Sequence, residues 1–381
     1  MTRTPRKTAR AESVGSLIRS PEITRRIDEI FEDATTGATQ FALPEKAKQI
    51  AEMGAVVDGL LPDLVRNQID AGLDVVTDGE IRRTGFLDSF YDAVAGVRPP
   101  DSRWGKEYNF ALADPLVDGR ISKARNPLIN EIASLRAIDS PAPFKLTIPP
   151  PSYFISDMVP TPPSSAYESR MDLVEDVVAI EREMLAEAIA AGATWIQFDA
   201  AVYSMLVDPE NIPGIVEING KPTDELLDYA LDFDTRVVEG LTDDLTIGVH
   251  LCRGNMPGAT GYGSIEPVAE RMFNELPYDR FLIEWDDLDR FGDFSPLRHV
   301  PKGKIVVLGL ISTKTPELES EDEIVALLEQ ASAYIPMDQL AISPQCGFAS
   351  GSHDHNVDSE DRQWRKLELV GNVADRVWGR D

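Results

Sequence analysis

His250 and Cys252 stand two residues apart in the run Val249-His250-Leu251-Cys252-Arg253-Gly254-Asn255. On an extended strand that spacing turns both side chains to one side, so both can reach one metal ion. Cys346 lies far along the chain in Ser343-Pro344-Gln345-Cys346-Gly347, and Glu284 sits at the end of another apolar run. One imidazole, two thiolates and one carboxylate make a tetrahedral Zn2+ donor set, and catalytic zinc commonly keeps one position open. A thiol entering that position loses its proton and becomes a nucleophile at neutral pH. Such a site suits activation of a substrate sulfur better than of water. The spacing by itself also fits a buried core histidine and two free thiols. What favours the metal is placement, because the only two cysteines of the chain both fall at the ends of strand-like runs.

Those runs are eight in number, at residues 12–16, 73–77, 144–148, 194–198, 245–251, 281–285, 304–310 and 339–343. Amphipathic segments separate most of them. In 44–71 the apolar residues Ile50, Met53, Val57, Leu60, Leu61 and Leu64 recur at helical spacing, and Gly72 ends the pattern. Segments 174–191, 223–240, 265–276, 321–333 and 359–377 repeat it. Alternating strands and helices imply parallel pairing through crossovers. Eight repeats in 381 residues predict an α/β fold of the (β/α)8 TIM-barrel type. One domain is expected over 11–381, behind a basic tail at 1–10 that carries Arg3, Arg6, Lys7 and Arg10 and reads as frayed. A long insertion at 96–143 precedes the third strand. The proline-rich stretch 147–165 reads as a rigid surface loop or a substrate lid. No G-x-G-x-x-G follows an early strand, which argues against dinucleotide binding.

Unusual polar residues collect at one end of nearly every strand: Ser16, Glu80, Asp199, His250, Glu284, Ser312 to Lys314, and Cys346. In a barrel these ends share the face on which active sites form. Composition narrows the partners. With 37 Lys+Arg against 65 Asp+Glu the net charge is −28, which disfavours nucleic acid and anionic membranes. The most apolar window, 188–207, is broken by Gly192, Gln197 and Asp199 and is no membrane span. Two cysteines and no apolar leader point to a cytoplasmic protein.

The motifs VGSLIR at Val14, TDGE at Thr77, IQFD at Ile196, HLCRGN at His250, IEWDD, LGLISTKTPELES, SPQCGFAS and QWRKLELV at Gln363 resemble the cobalamin-independent methionine synthase family. The likeness is strongest to its short, single-barrel members. It implies a barrel, zinc on His250, Cys252, Glu284 and Cys346, and homocysteine contacts from Ser16, Glu80 and Asp199. The last two would meet an α-ammonium, which carboxylates suit. It implies, too, a methyltransferase that converts homocysteine to methionine. The expected partners are a small-molecule thiol and a methyl donor, with a homo-oligomer left open.

The departures fall on the donor half. Full-length synthases carry an additional N-terminal barrel for which this chain has no room. A family histidine after the seventh strand is replaced by Leu310-Ile311-Ser312, and Asp-Glu-Pro after the fourth by Asp199-Ala200-Ala201. A polyanionic folate meets a chain of charge −28 unfavourably unless local Lys or Arg intervene. The donor is therefore open between a folate, a corrinoid and another methyl carrier. His353 and His355 are candidate proton donors, set against a solvated polar loop. Arg253 and Asn255 are expected to orient the ligand loop or bind a substrate carboxylate, and Trp104 and Trp285 to stack on a flat donor or sit in the core. Two other functions compete: a zinc thiol-alkyl transferase acting on an epoxide or other alkyl electrophile, and a metal-free barrel of decarboxylase-like or binding type.

Overall fold

The computed structural model describes residues 6–31, 46–98, 115–156, 159, 162, 165–241, 244–255, 261–351, 357 and 359–380. Two antiparallel strands, β1 (Val94–Arg98) and β2 (Leu116–Lys123), pair where the insertion begins and within it. Six parallel strands follow in the sheet order β3 (Leu146–Ile148), β4 (Trp195–Asp199), β5 (Thr246–Leu251), β6 (Arg280–Glu284), β7 (Ile305–Ile311) and β8 (Leu340–Pro344). The main helices are α1 (Pro21–Phe31), α2 (Ala47–Ala71), α3 (Leu128–Arg136), α4 (Arg170–Ala190), α5 (Ile212–Asn219), α6 (Thr223–Arg236), α7 (Glu266–Glu275), α8 (Glu321–Ala331) and α9 (Glu360–Trp378). Parallel neighbours joined through helices are the βα grammar that the alternating apolar pattern requires.

The first two expected strands take their places in the ring without becoming regular strands. Ala11 bridges Ile342 of β8, and Val76 bridges Phe144 beside β3. The two segments join each other through Asp74 N–H to Ala11 O at 2.8 Å. Side chains supply much of what a ladder would otherwise provide. The Asp74 carboxylate accepts from the N–H groups of Arg10 and Ala11 at 2.8 and 3.0 Å. Gln68 of α2 clamps Thr77, donating to its carbonyl at 2.8 Å and accepting from its N–H at 3.0 Å. The ring is thus closed with eight staves, six of them regular.

The stretch read as a frayed basic tail is anchored from Arg6 onward. Arg6 is buried, its guanidinium bonded to Asp74 at 2.9 and 3.0 Å and paired with Asp375 of α9. A buried guanidinium needs such carboxylates, and two are waiting for it. The proline-rich stretch also begins inside the protein. Pro151–Ile155 form a buried 3-10 turn, with Tyr153 and Phe154 edge-on to Phe86 and Phe90. Helix limits follow local chemistry. Gly72 ends α2 in the left-handed region at φ 101°, and α4 starts at Arg170 because Ser169 and Asp172 form a reciprocal capping box.

Within the ring, Val14, Leu282, Val307 and Ala341 form an apolar cluster. Glu12, Lys145, Gln197 and Arg280 are buried as a polar group. Among the described residues no helix is long and apolar enough to cross a membrane.

Candidate active site

Strand register carries the chemistry to one face. His250 lies near the end of β5 opposite Asp199, the last residue of β4; Glu284, the last residue of β6, lies opposite Gly309. Cys252 follows β5 and Cys346 follows β8. One ligand atom from each of His250, Cys252 and Cys346 lies within 4.8 Å of the others, and the two sulfurs are 3.8 Å apart. His250 is buried, and neither ring nitrogen has a hydrogen-bond partner among the described residues. Burying an imidazole with both nitrogens unsatisfied costs free energy unless something else engages it. An orphaned imidazole beside two thiols fits a soft-ligand metal ion. The thiol pair holds its protons unequally. Cys252, hydrogen-bonded to Cys346 and set beside His250, is driven well below the ordinary thiol range although burial opposes it. His250 is disfavoured as a cation by burial, but Cys252, Asp199 and Glu284 outweigh that and raise it.

Glu284 stands outside that three-atom cluster. Its Oε2 accepts from Arg253 N–H at 2.9 Å, and its Oε1 is paired with Lys314 from the loop after β7. Burial pushes Glu284 up to about 7 despite Lys314. Asn255 ties together the loops after β5, β7 and β8, the first and last of which carry Cys252 and Cys346. It donates to Gly347 O at 2.8 Å and accepts from Thr313 Oγ1 at 2.9 Å, and the Thr313 N–H donates to Gln345 Oε1. Arg253 is buried against the Phe291 ring, 4.2 Å from its centroid; its Nη1 donates to Gly263 O, and its Nε and Nη2 have no hydrogen-bond partner among the described residues.

The other half of the site gathers Ser16, Glu80 and Asp199. Glu80 is buried and takes a left-handed backbone, φ 55°. Its Oε1 accepts from Thr147 Oγ1 at 2.6 Å and lies 3.7 Å from the Arg83 guanidinium, which is itself paired with Glu131. Two glycines permit this packing. A Cβ on Gly15 would lie 2.6 Å from Glu80 Oε1, and one on Gly347 would lie 2.1 Å from Ser16 Oγ. Asp199 accepts from Gln197 Nε2 at 2.9 Å; burial pushes it up to about 7, with Glu80 adding to the effect and His250 opposing it.

A family model described as "Cobalamin-independent synthase, Catalytic domain" matches residues 33–359. The chain belongs to the cobalamin-independent synthase family. The uncharacterized protein YxjG of Bacillus subtilis is 31% identical over 378 residues, covering 97% of this chain and 94% of YxjG. A methionine synthase of Pyrococcus abyssi is 26% identical over 290 residues, or 75% of this chain and 74% of that one. A solved Listeria monocytogenes chain, assigned as a vitamin-B12-independent methionine synthase, superposes over 100% of both chains with TM-score 0.71 at 25% identity.

Within this member of the family, the expected ligands and thiol contacts lie on one face, apart from the withdrawn position of Glu284. His353, His355 and Trp104 lie outside the described residues. Trp285 is a core side chain, fully buried against Phe294 and donating to Gly292 O at 3.0 Å. Sequence reasoning gave no role to Lys314, Thr147, Arg83 or Gln197. The available signals were the lysine beside a strand end in Ser312-Thr313-Lys314 and the glutamine two residues before Asp199, on the same side of β4.

Proposed function

We propose that the chain is a zinc-dependent methyltransferase that moves a methyl group to homocysteine and releases methionine. His250, Cys252 and Cys346 would hold the metal, with Glu284, whose oxygens are held by Arg253 N–H and Lys314, as the proposed fourth donor. When bound there, zinc supplies the Lewis acidity that lets a thiol ionise at neutral pH. The chain's own residues do the rest. Glu80 and Asp199 place two carboxylates at the mouth of the ring, where they complement an α-ammonium, and Ser16 offers a hydroxyl beside them. The Asn255 network keeps the loops after β5, β7 and β8 in fixed relation, so that sulfur and amine of one amino acid are read together. In the reaction a sulfur–carbon bond forms as the methyl–carrier bond breaks. The thiol gives up its proton and the carrier departs with the electron pair. His353 and His355 are the proposed source of the proton that the carrier takes.

The observation that carries this reading is the buried His250 ring, unpartnered at both nitrogens and gathered with two thiols within 4.8 Å. Metal analysis of protein purified without chelator tests it. About one zinc per chain is expected, lost in Cys346→Ser and kept in a His353→Ala/His355→Ala double variant that turns over more slowly. Protein free of zinc would sink the metal reading, and a double variant with unchanged turnover would remove the two histidines from it.

A further inference from the structure

A chain of buried polar side chains crosses the barrel interior and ends on Asp199. Arg280, the first residue of β6, donates to Glu12 Oε1 through Nε at 3.0 Å and Nη2 at 2.6 Å. Glu12 Oε2 accepts from Lys145 Nζ at 2.7 Å, and Lys145 also donates to Gln197 Oε1 at 2.7 Å. Gln197 Nε2 then donates to Val14 O at 2.7 Å and to Asp199 Oδ1 at 2.9 Å. Arg280, Glu12, Lys145 and Gln197 are all buried.

The orientation of the Gln197 amide is dictated from both sides. An ammonium can only donate, so the amide oxygen must face Lys145. Val14 O and Asp199 Oδ1 can only accept, and they take the two amide hydrogens. A flipped amide would set NH2 against an ammonium and an oxygen against two acceptors. Replacing a buried ion network by apolar side chains is often neutral or stabilising, so stability alone gives little reason for this one. Its neighbours in the ring, Val14, Leu282, Val307 and Ala341, show that apolar filling is available.

We propose that Gln197 is a positioning residue for Asp199: Lys145 fixes its amide so that Asp199 Oδ1 is always occupied and Oδ2 is presented to the ammonium of an amino-acid thiol. This rests on Asp199 as an amine contact, and it makes the interior chain a specificity device rather than a core filler. Calorimetric titration of the zinc-loaded protein with homocysteine and with 4-sulfanylbutanoate, the same thiol without its amine, separates the possibilities. Wild-type protein should prefer homocysteine. Gln197→Met and Gln197→Glu should each weaken homocysteine at least about tenfold, the size expected for a displaced charged hydrogen bond, while 4-sulfanylbutanoate shifts less than about twofold. Gln197→Glu keeps the Lys145 pairing, so it serves if the methionine variant fails to fold. Equal weakening of both thiols, or of neither, overturns the proposal. Wild-type protein that binds the two thiols equally would remove Asp199 as the amine contact and Gln197 with it. Loss of preference in Asp199→Asn with preference intact in the Gln197 variants would remove Gln197 alone.

Discussion

Glu80 occupies a backbone region that side chains other than glycine seldom adopt, φ 55°, and it does so while buried. Strain of this kind costs on the order of 1–3 kcal/mol and persists where surrounding contacts over-determine it. Two such contacts hold Glu80: Thr147 donates to the carboxylate, and Arg19 donates to the Glu80 carbonyl at 3.0 Å. Gly15 leaves the carboxylate its space. In Gly15→Ala the new Cβ, 2.6 Å from Glu80 Oε1 and 3.0 Å from Thr147 Cγ2, should push the carboxylate off its bonds. Homocysteine affinity should fall about tenfold, the cost of one charged contact, while zinc content stays at the wild-type level. Unchanged affinity by calorimetry would detach Glu80 from the thiol site. The gathering of His250, Cys252 and Cys346 was legible in the sequence because cysteine is scarce and H-x-C is a local spacing. Gly15 and Gly347 were not. Their importance lies in approaches between residues far apart in the chain, which no local pattern encodes.

At the scale of elements, period and punctuation served well for helices. Gly72 ends α2, and α9 starts at Glu360, one residue inside the expected segment 359–377, with Ser359 as its cap. Six of the strand-like runs became strands for the same reason: short apolar runs between helices can be buried only side by side. The first two runs are where side chains replace ladder bonds. Asp74 takes backbone N–H groups that a neighbouring carbonyl would otherwise take, an exchange that a β-rich composition does not announce. The β1–β2 pair was missed because it lies where the insertion begins and within it, outside the repeating rhythm. The start of α4 shows a local rule that could have been read more closely. Ser169 accepts from Asp172 N–H at 3.3 Å, and Ser169 N–H donates to the Asp172 carboxylate at 2.9 Å. Ser169→Ala should therefore cost about 1 kcal/mol in urea unfolding, with Ser169→Asp restoring most of it. Equal midpoints for Ser169→Ala and wild type would mean that packing of the buried face of α4, not its cap, sets where the helix begins.

For the molecule as a whole, the acidic balance has a buried component outside the active face. Asp234 of α6 is fully buried between the ring and the helix layer. It accepts from Ser152 N–H at 2.9 Å and from the hydroxyls of Ser152 and Tyr203 at 2.7 Å each. Tyr278 donates to the Asp234 carbonyl at 2.9 Å, and Glu181 of α4 is buried nearby with neither carboxylate oxygen hydrogen-bonded among the described residues. Burial lifts Asp234 from 3.8 to about 6 against its hydrogen bonds. Burial, then the charge of Asp234, lifts Glu181 well above its ordinary range. A carboxyl raised by folding holds its proton in the folded state after the unfolded chain has released it. Its contribution to stability is full below pH 3.8 and is lost as pH rises through about 6. Carboxylates lowered by ion pairs, such as Glu12 between Arg280 and Lys145, act with the opposite sign, so the total curve mixes the two. Subtraction isolates the term. The unfolding free energy of wild type minus that of Asp234→Asn should fall by roughly 2 kcal/mol between about pH 4 and pH 7. A difference flat across that range, measured by urea unfolding at each pH, would mean that Asp234 is ionised throughout and that its three hydrogen bonds outweigh its burial.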